Sequence, residues 1–190
     1  DGPLPEDIET LVALAMNLAI TVRTPQHPDG NHWAEWAVRL TRRESSLAFF
    51  GIAAQNWLQY YTQAGDLTKP AAIVNDVRPV AAMQECSPVI FVNASMAISW
   101  YEWLYALPSY RHTVSRVLEV AVASGMFYVG KHLTLANGLF GALSDNDAEL
   151  ADAWIREIAK DVHLFGPGLN CYHQLALVRL ALLDNDGERA

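Results

Sequence analysis

Apolar residues recur along this chain at three- and four-residue spacing, the repeat of a helix face, and no window alternates long enough to predict a strand. Ile8, Leu11, Val12, Ala15, Leu18, Ala19 and Val22 predict an amphipathic helix over Pro5 to Val22, with acids in its first turn. Arg23 to His32 carries two prolines and an Asp-Gly pair and predicts a loop. A helical period then runs from Asn31 through Trp36, Leu40, Leu47, Phe50, Ala54, Trp57, Leu58 and Tyr61. Arg43 to Ser46 interrupts it, so either one helix bends there or two meet, and Gly65 closes the run. Lys69 to Glu85 predicts a broken helix, started by Pro70 and disturbed by Pro79.

The most apolar segment is Ser87 to Leu107, whose one formal charge is Glu102. Ser87 is suited to cap it and Pro88 to occupy its first turn. Ser95, Ser99, Glu102 and Ala106 share one narrow stripe and apolar residues cover the rest, which predicts burial nearly all round. Four further helical stretches follow. They are Ser109 to Ser124 before Gly125, Met126 to Leu143 with three glycines, one from the Ser144–Asp145–Asp147–Glu149 signal to about Leu164, and Leu169 to Leu183 with Leu175, Val178 and Leu182 on one face. The expectation is an all-α bundle of seven or eight helices around residues 88–107, forming one domain over 1–190.

With 52% hydrophobic and 18% charged residues, the 190-residue chain can bury a substantial core. Its formal charge of -8 argues against a nucleic-acid surface that works by overall attraction. The 88–107 helix is long enough to raise the question of a membrane span. Asn93, Ser95, Ser99, Glu102 and the lack of flanking Lys or Arg favour a buried soluble helix instead. Cys86 and Cys171 read as reduced thiols. The opening DGPLP reads as the cut edge of a longer protein.

No complete catalytic or metal set emerges, so no cofactor and no metal is expected and the chain reads as non-enzymatic. Gly125 to Lys131 has the spacing of a phosphate loop, but His132 stands where Ser or Thr should hold magnesium. His27, Asp29, Asn31 and His32 are explained by turn formation. Asp145, Asp147 and Glu149 imitate a calcium loop, yet Leu150 replaces its glycine, and helix capping explains them. Glu102 is the notable carboxylate: it faces a basic side chain or a partner, or else forms an acid site with a histidine such as His132. Arg39, Arg42 and Arg43 form one cationic cluster and Arg111 with Arg116 a smaller one, and these five are the candidate partner-binding residues. Six Trp and seven Tyr, spaced as in Trp33 with Trp36 or Trp100 with Trp103, read as core or as the lining of a partner groove.

Three stretches carry a resemblance. LPEDIETLVALAMNLAITVR (Leu4 to Arg23), VLEVAVASG (Val117 to Gly125) and AELADAWIREIAKD (Ala148 to Asp161) are similar to helices of the cytoplasmic domain of the DotM/TrbA family, subunits of type IVB secretion and conjugative transfer systems. HLTLANGLFGAL (His132 to Leu143) departs from the family's Trp- and Pro-rich stretch, and no functional residue is carried over. The resemblance implies a domain that follows membrane helices on the cytoplasmic side of the bacterial inner membrane. Its implied partners are other transfer subunits, including a coupling ATPase, and substrate protein signals.

Overall fold

The computed structural model describes residues 12–13, 15–16, 27–41, 47–66, 68–83, 86–126, 131, 133–160 and 167–183. The fold is all-α, and no strand occurs among the described residues. The predicted 5–22 helix lies mostly outside them, with 12–13 and 15–16 helical. Eight helices follow: α1 Gly30–Thr41, α2 Leu47–Ala64, α3 Lys69–Ala81, α4 Pro88–Leu104, α5 Tyr110–Ala123, α6 Leu133–Ser144, α7 Ala148–Ala159 and α8 Pro167–Leu183. The period starting at Asn31 therefore divides into two helices, α1 and α2.

The helix ends follow from local chemistry. Gly65 takes φ +76° after α2, and the N–H of Asp66 reaches back to the Tyr61 carbonyl. Asn146 takes φ +56° after α6, an amide side chain being tolerant of that conformation. The next residue, Asp147, caps α7 by accepting from the Leu150 N–H at 3.1 Å, so the acids after Ser144 do start a helix, while Ser144 itself ends the previous one. α3 is continuous through Pro79 where a break was expected. Pro79 lies in the last turn, so the hydrogen bond it cannot make falls where the helix is ending, and Ala82 N–H closes it on Arg78 and Pro79. The last helix, α8, starts at Pro167, two residues before the expected Leu169, at a position where a proline's missing N–H costs nothing.

The chain, read above as one domain, clusters into two compact units, Asp1–Leu104 and Tyr105–Ala190. In the first unit α4 packs on α2 and α3, and α1 packs on α2. Ala37, Leu40, Phe50, Ala54, Leu58, Ile73, Val74, Val77, Ala94 and Ile98 fill the space between them. Burial on all sides, expected along nearly the whole of this helix, holds for the two turns from Val92 to Ser99, with Glu102 buried beyond them, while Val89 in the first turn is exposed. Its small residues draw neighbours close: a Cβ on Gly51 would stand 2.5 Å from the Ala94 nitrogen. The bulky Trp100, Tyr101 and Trp103 lie beyond that approach and stay partly exposed. α4 ends at Leu104 rather than Leu107, and Ala106 takes φ +50°.

The second unit packs α6 against α5 and α7, and α8 against α6 and α7. Leu139, Leu143, Ile155, Ile158, Ala176 and Leu180 form its core. Two of the three glycines of 126–143 serve close packing, since a Cβ on Gly141 would meet the Tyr110 ring at 2.2 Å and one on Gly138 would meet Val114 at 2.9 Å. Gly130 lies outside the described residues.

Gly51→Ala is expected to destabilise the first unit by about 3 kcal/mol, the upper end of ordinary overpacking, because the atoms it meets are backbone and cannot rotate away. Gly65→Ala, strained only in its dihedral angle, should cost about 1 kcal/mol. Urea unfolding of the two variants checks the order.

Candidate functional site

The candidate contact residues are placed unevenly. Arg39 is exposed on α1 and, with His32, Glu35 and Trp36, lines a shallow cavity of about 180 Å³. The rings of His32, Trp33 and Trp36 cluster beside it in edge-on and tilted contacts, the two indole centroids 5.0 Å apart. Arg42 and Arg43 lie outside the described residues. Arg111 is not a loose cation: it reaches Asp145 at 3.1 Å and Asp147 at 3.0 Å, and Asp145 also accepts from the Tyr110 hydroxyl at 2.9 Å. The Asp145 carboxylate and Tyr110 push the Arg111 pKa further up, so the charge is permanent and engaged. Arg116 is exposed on the same helix, but five residues of helix turn it about 140° from Arg111, so the two do not form one patch.

Glu102 meets a basic side chain. Its Oε1 lies 3.4 Å from Arg78 Nη2, joining α4 to α3. The carboxylate is almost fully buried and the guanidinium is half exposed, so the charge is taken out of water with a partner that keeps water contact on its far side. His132, the histidine suggested for an acid site, lies outside the described residues.

A second polar cluster was not legible in the sequence. Lys69 Nζ donates to the Tyr61 hydroxyl at 2.9 Å and to Asn31 Oδ1 at 3.3 Å, and sits 3.7 Å from Glu35. Asn31 donates to Glu35 at 3.1 Å, and the Tyr61 hydroxyl donates to Asn31. Only Asn31 and Glu35, four apart on α1, are neighbours by helical spacing; Tyr61 and Lys69 arrive from α2 and α3. Burial pushes the Tyr61 pKa up, and the hydrogen bond to Tyr61 raises that of Lys69. Both groups hold their protons more firmly than usual, the opposite of what a general base at neutral pH requires. The cluster ties three helices together.

Among the described residues no three His, Cys, Asp or Glu side chains gather as a metal site. Asp145 and Asp147 serve Arg111 and the α7 cap. Cys86 is a free thiol whose pKa burial raises, and the Cys171 side chain lies outside the described set. His173 on α8 is 8% exposed, and neither ring nitrogen has a hydrogen-bond partner. Burial pushes its pKa down.

The largest departure from ordinary burial is on α8. Ala176, Leu180 and Ala181 are buried, while Leu175, Val178 and Leu182 are 50%, 38% and 64% exposed. The face expected from their spacing is real, and it points to solvent. No helix among the described residues is long and apolar enough to cross a membrane. Comparison with family models, with curated proteins and with solved structures finds no match.

Two outcomes follow from these placements. Arg78→Met should destabilise the chain by about 1–3 kcal/mol, because a buried carboxylate loses its cation, and adding Glu102→Gln should recover part of the loss in a double-variant cycle. For His173, the unfolded chain takes up the proton more readily than the folded one. Its contribution to stability is therefore complete above about pH 6.5 and is lost as pH falls toward the folded pKa. Melting temperature measured from pH 7.5 downward should fall less steeply for His173→Leu than for the parent chain.

Proposed function

We propose that this chain is a non-enzymatic protein-interaction module that docks a helix of another subunit through α8. The observation that carries the reading is the row Leu175, Val178 and Leu182. Its three- and four-residue steps are the seam spacing by which helices pair, and its side chains are exposed on a helix whose opposite face is already packed. A single exposed apolar side chain is ordinary; three in register are a surface for an apolar partner helix. Arg39 beside the clustered rings of His32, Trp33 and Trp36 offers a separate contact of mixed charge and aromatic character, suited to a substrate protein signal.

The setting we propose is a type IVB secretion or conjugation coupling complex at the cytoplasmic side of the inner membrane, with a coupling ATPase among the partners. It rests on the resemblance of residues 4–23, 117–125 and 148–161 to the DotM/TrbA cytoplasmic domain. The rival reading, a helical enzyme or small-ligand protein built on Glu102, is weakened by the Arg78 pairing, which gives that carboxylate a structural purpose.

Photo-cross-linking from position 178 of the full-length protein in its native membrane tests both levels. Expected is a covalent adduct with an identified transfer-system subunit, and at least tenfold less of it when Leu175→Glu and Leu182→Glu are combined, with the melting temperature little changed because both side chains are exposed. Recovery of the chain without adduct, or an adduct indifferent to the two substitutions, overturns the docking reading. An adduct of the expected sensitivity with a protein unrelated to transfer keeps the docking and overturns the setting.

A further inference from the structure

His173 is a buried, ionisable side chain to which the packing described so far gives no partner. It stands on α8 in line with Ala176 and Leu180, the residues that α8 applies to α6 and α7, and two residues of helix turn it about 200° from the exposed Leu175. Neither ring nitrogen has a hydrogen-bond partner. A neutral imidazole leaves one donor and one acceptor unsatisfied there, whereas an imidazolium leaves two donors and a full charge.

Among the described residues, nothing packed against α8 compensates that charge. α6 carries no ionisable side chain from Leu133 to Ser144. The ionisable residues of α7 are Glu149, Asp152, Arg156 and Glu157. Glu149 and Arg156 are exposed, Asp152 is paired with Arg156, and Glu157 is paired with Lys131 and Lys160. On α8 itself Arg179 is exposed and carries the same sign as an imidazolium. Burial accordingly acts on His173 without an opposing attraction, and it favours the neutral ring.

The helix is also held in a way that lets it leave. α6 packs on α5 and on α7 without it. To the buried core that α6 and α7 fill with Leu139, Leu143, Ile155 and Ile158, α8 contributes Ala176 and Leu180.

We infer that His173 makes α8 an acid-released latch: a proton on its imidazole detaches α8 from α6 and α7 and uncovers their apolar faces, while α5, α6 and α7 stay together. Return to neutral pH closes it. The latch does not rest on the docking reading, although release takes the row from Leu175 to Leu182 away from its support.

An exposed imidazole binds its proton at about pH 6.5, so at pH 5 the proton favours the released helix over the packed one by at most about thirtyfold. Hydrogen exchange of the whole chain, followed amide by amide and corrected for the intrinsic rate at each pH, reads the release. Between pH 7.5 and pH 5 the protection of α8 amides is expected to fall by about five- to thirtyfold, and that of Leu139, Leu143 and Ile155 by less than about twofold. In His173→Leu and in His173→Gln the protection of α8 should not change with pH. The glutamine keeps a neutral polar side chain, so a fall absent from both variants belongs to the charge and not to the shape of the ring. Protection of α8 that holds at pH 5, an equal fall in either variant, or an equal fall at Leu139 and Ile155, which means that the unit opens as a whole, overturns the inference.

Discussion

The approach of α2 to α4 at Gly51 is the constraint on which the first unit depends. Backbone meets backbone there, and a contact that close requires small residues on both sides, which Ala53 and Ala54 on α2 and Ala94, Ser95 and Ala97 on α4 supply. Two consequences follow. The middle of α4 is buried on every face, including its serines, and Ser99 satisfies its hydroxyl by donating to the Met96 carbonyl within the same helix. The tryptophans Trp57 and Trp100 are only partly buried and pack against the edge of the core, and Trp100 buries its indole N–H without an acceptor. The second unit uses the same device at two glycines of α6: Gly141 receives the Tyr110 ring of α5, and Gly138 receives Val114 of α5 and Trp154 of α7.

Most elements were legible because their signals are local. Pro88 after Ser87, Gly65, Gly125 and the acids before Ala148 each mark a boundary by a mechanism that needs no tertiary information. What the pattern did not reveal is direction. Leu175, Val178 and Leu182 share a face, but α8 is apolar nearly all round, so periodicity alone could not decide which side packs. Burial went to the side carrying Ala176, Leu180 and Ala181, whose alternation of small and large residues fits against α6 and α7. Pro79 misled for a related reason, since a proline's cost depends on how many turns remain after it. The Tyr61–Lys69–Asn31–Glu35 cluster spans three helices, and no spacing rule connects residues so far apart in the chain.

The acid surplus is partly spent on joining helices. Glu102 links α4 to α3 through Arg78, Glu35 links α1 to α3 through Lys69, and Asp145 with Asp147 links the α6–α7 turn to α5 through Arg111. Such pairs contribute little each where they are exposed, and more where one partner is buried, as at Glu102. They also decide which charges remain for encounters with other molecules. Arg111 is largely withdrawn from that role.

The division of the core into two clusters bears on how the protein is made. Every residue of the first cluster lies before residue 102, and every residue of the second after residue 117. After Leu104, the 86 residues of the second unit (190 less 104) take roughly 4–17 s to translate at ordinary rates. Helical packings of short-range contacts form in microseconds to milliseconds. The leading unit therefore has time to close Gly51 against α4 while the ribosome is still synthesising the chain that holds Trp154 and α8, so its apolar faces are covered before the second set emerges to compete for them.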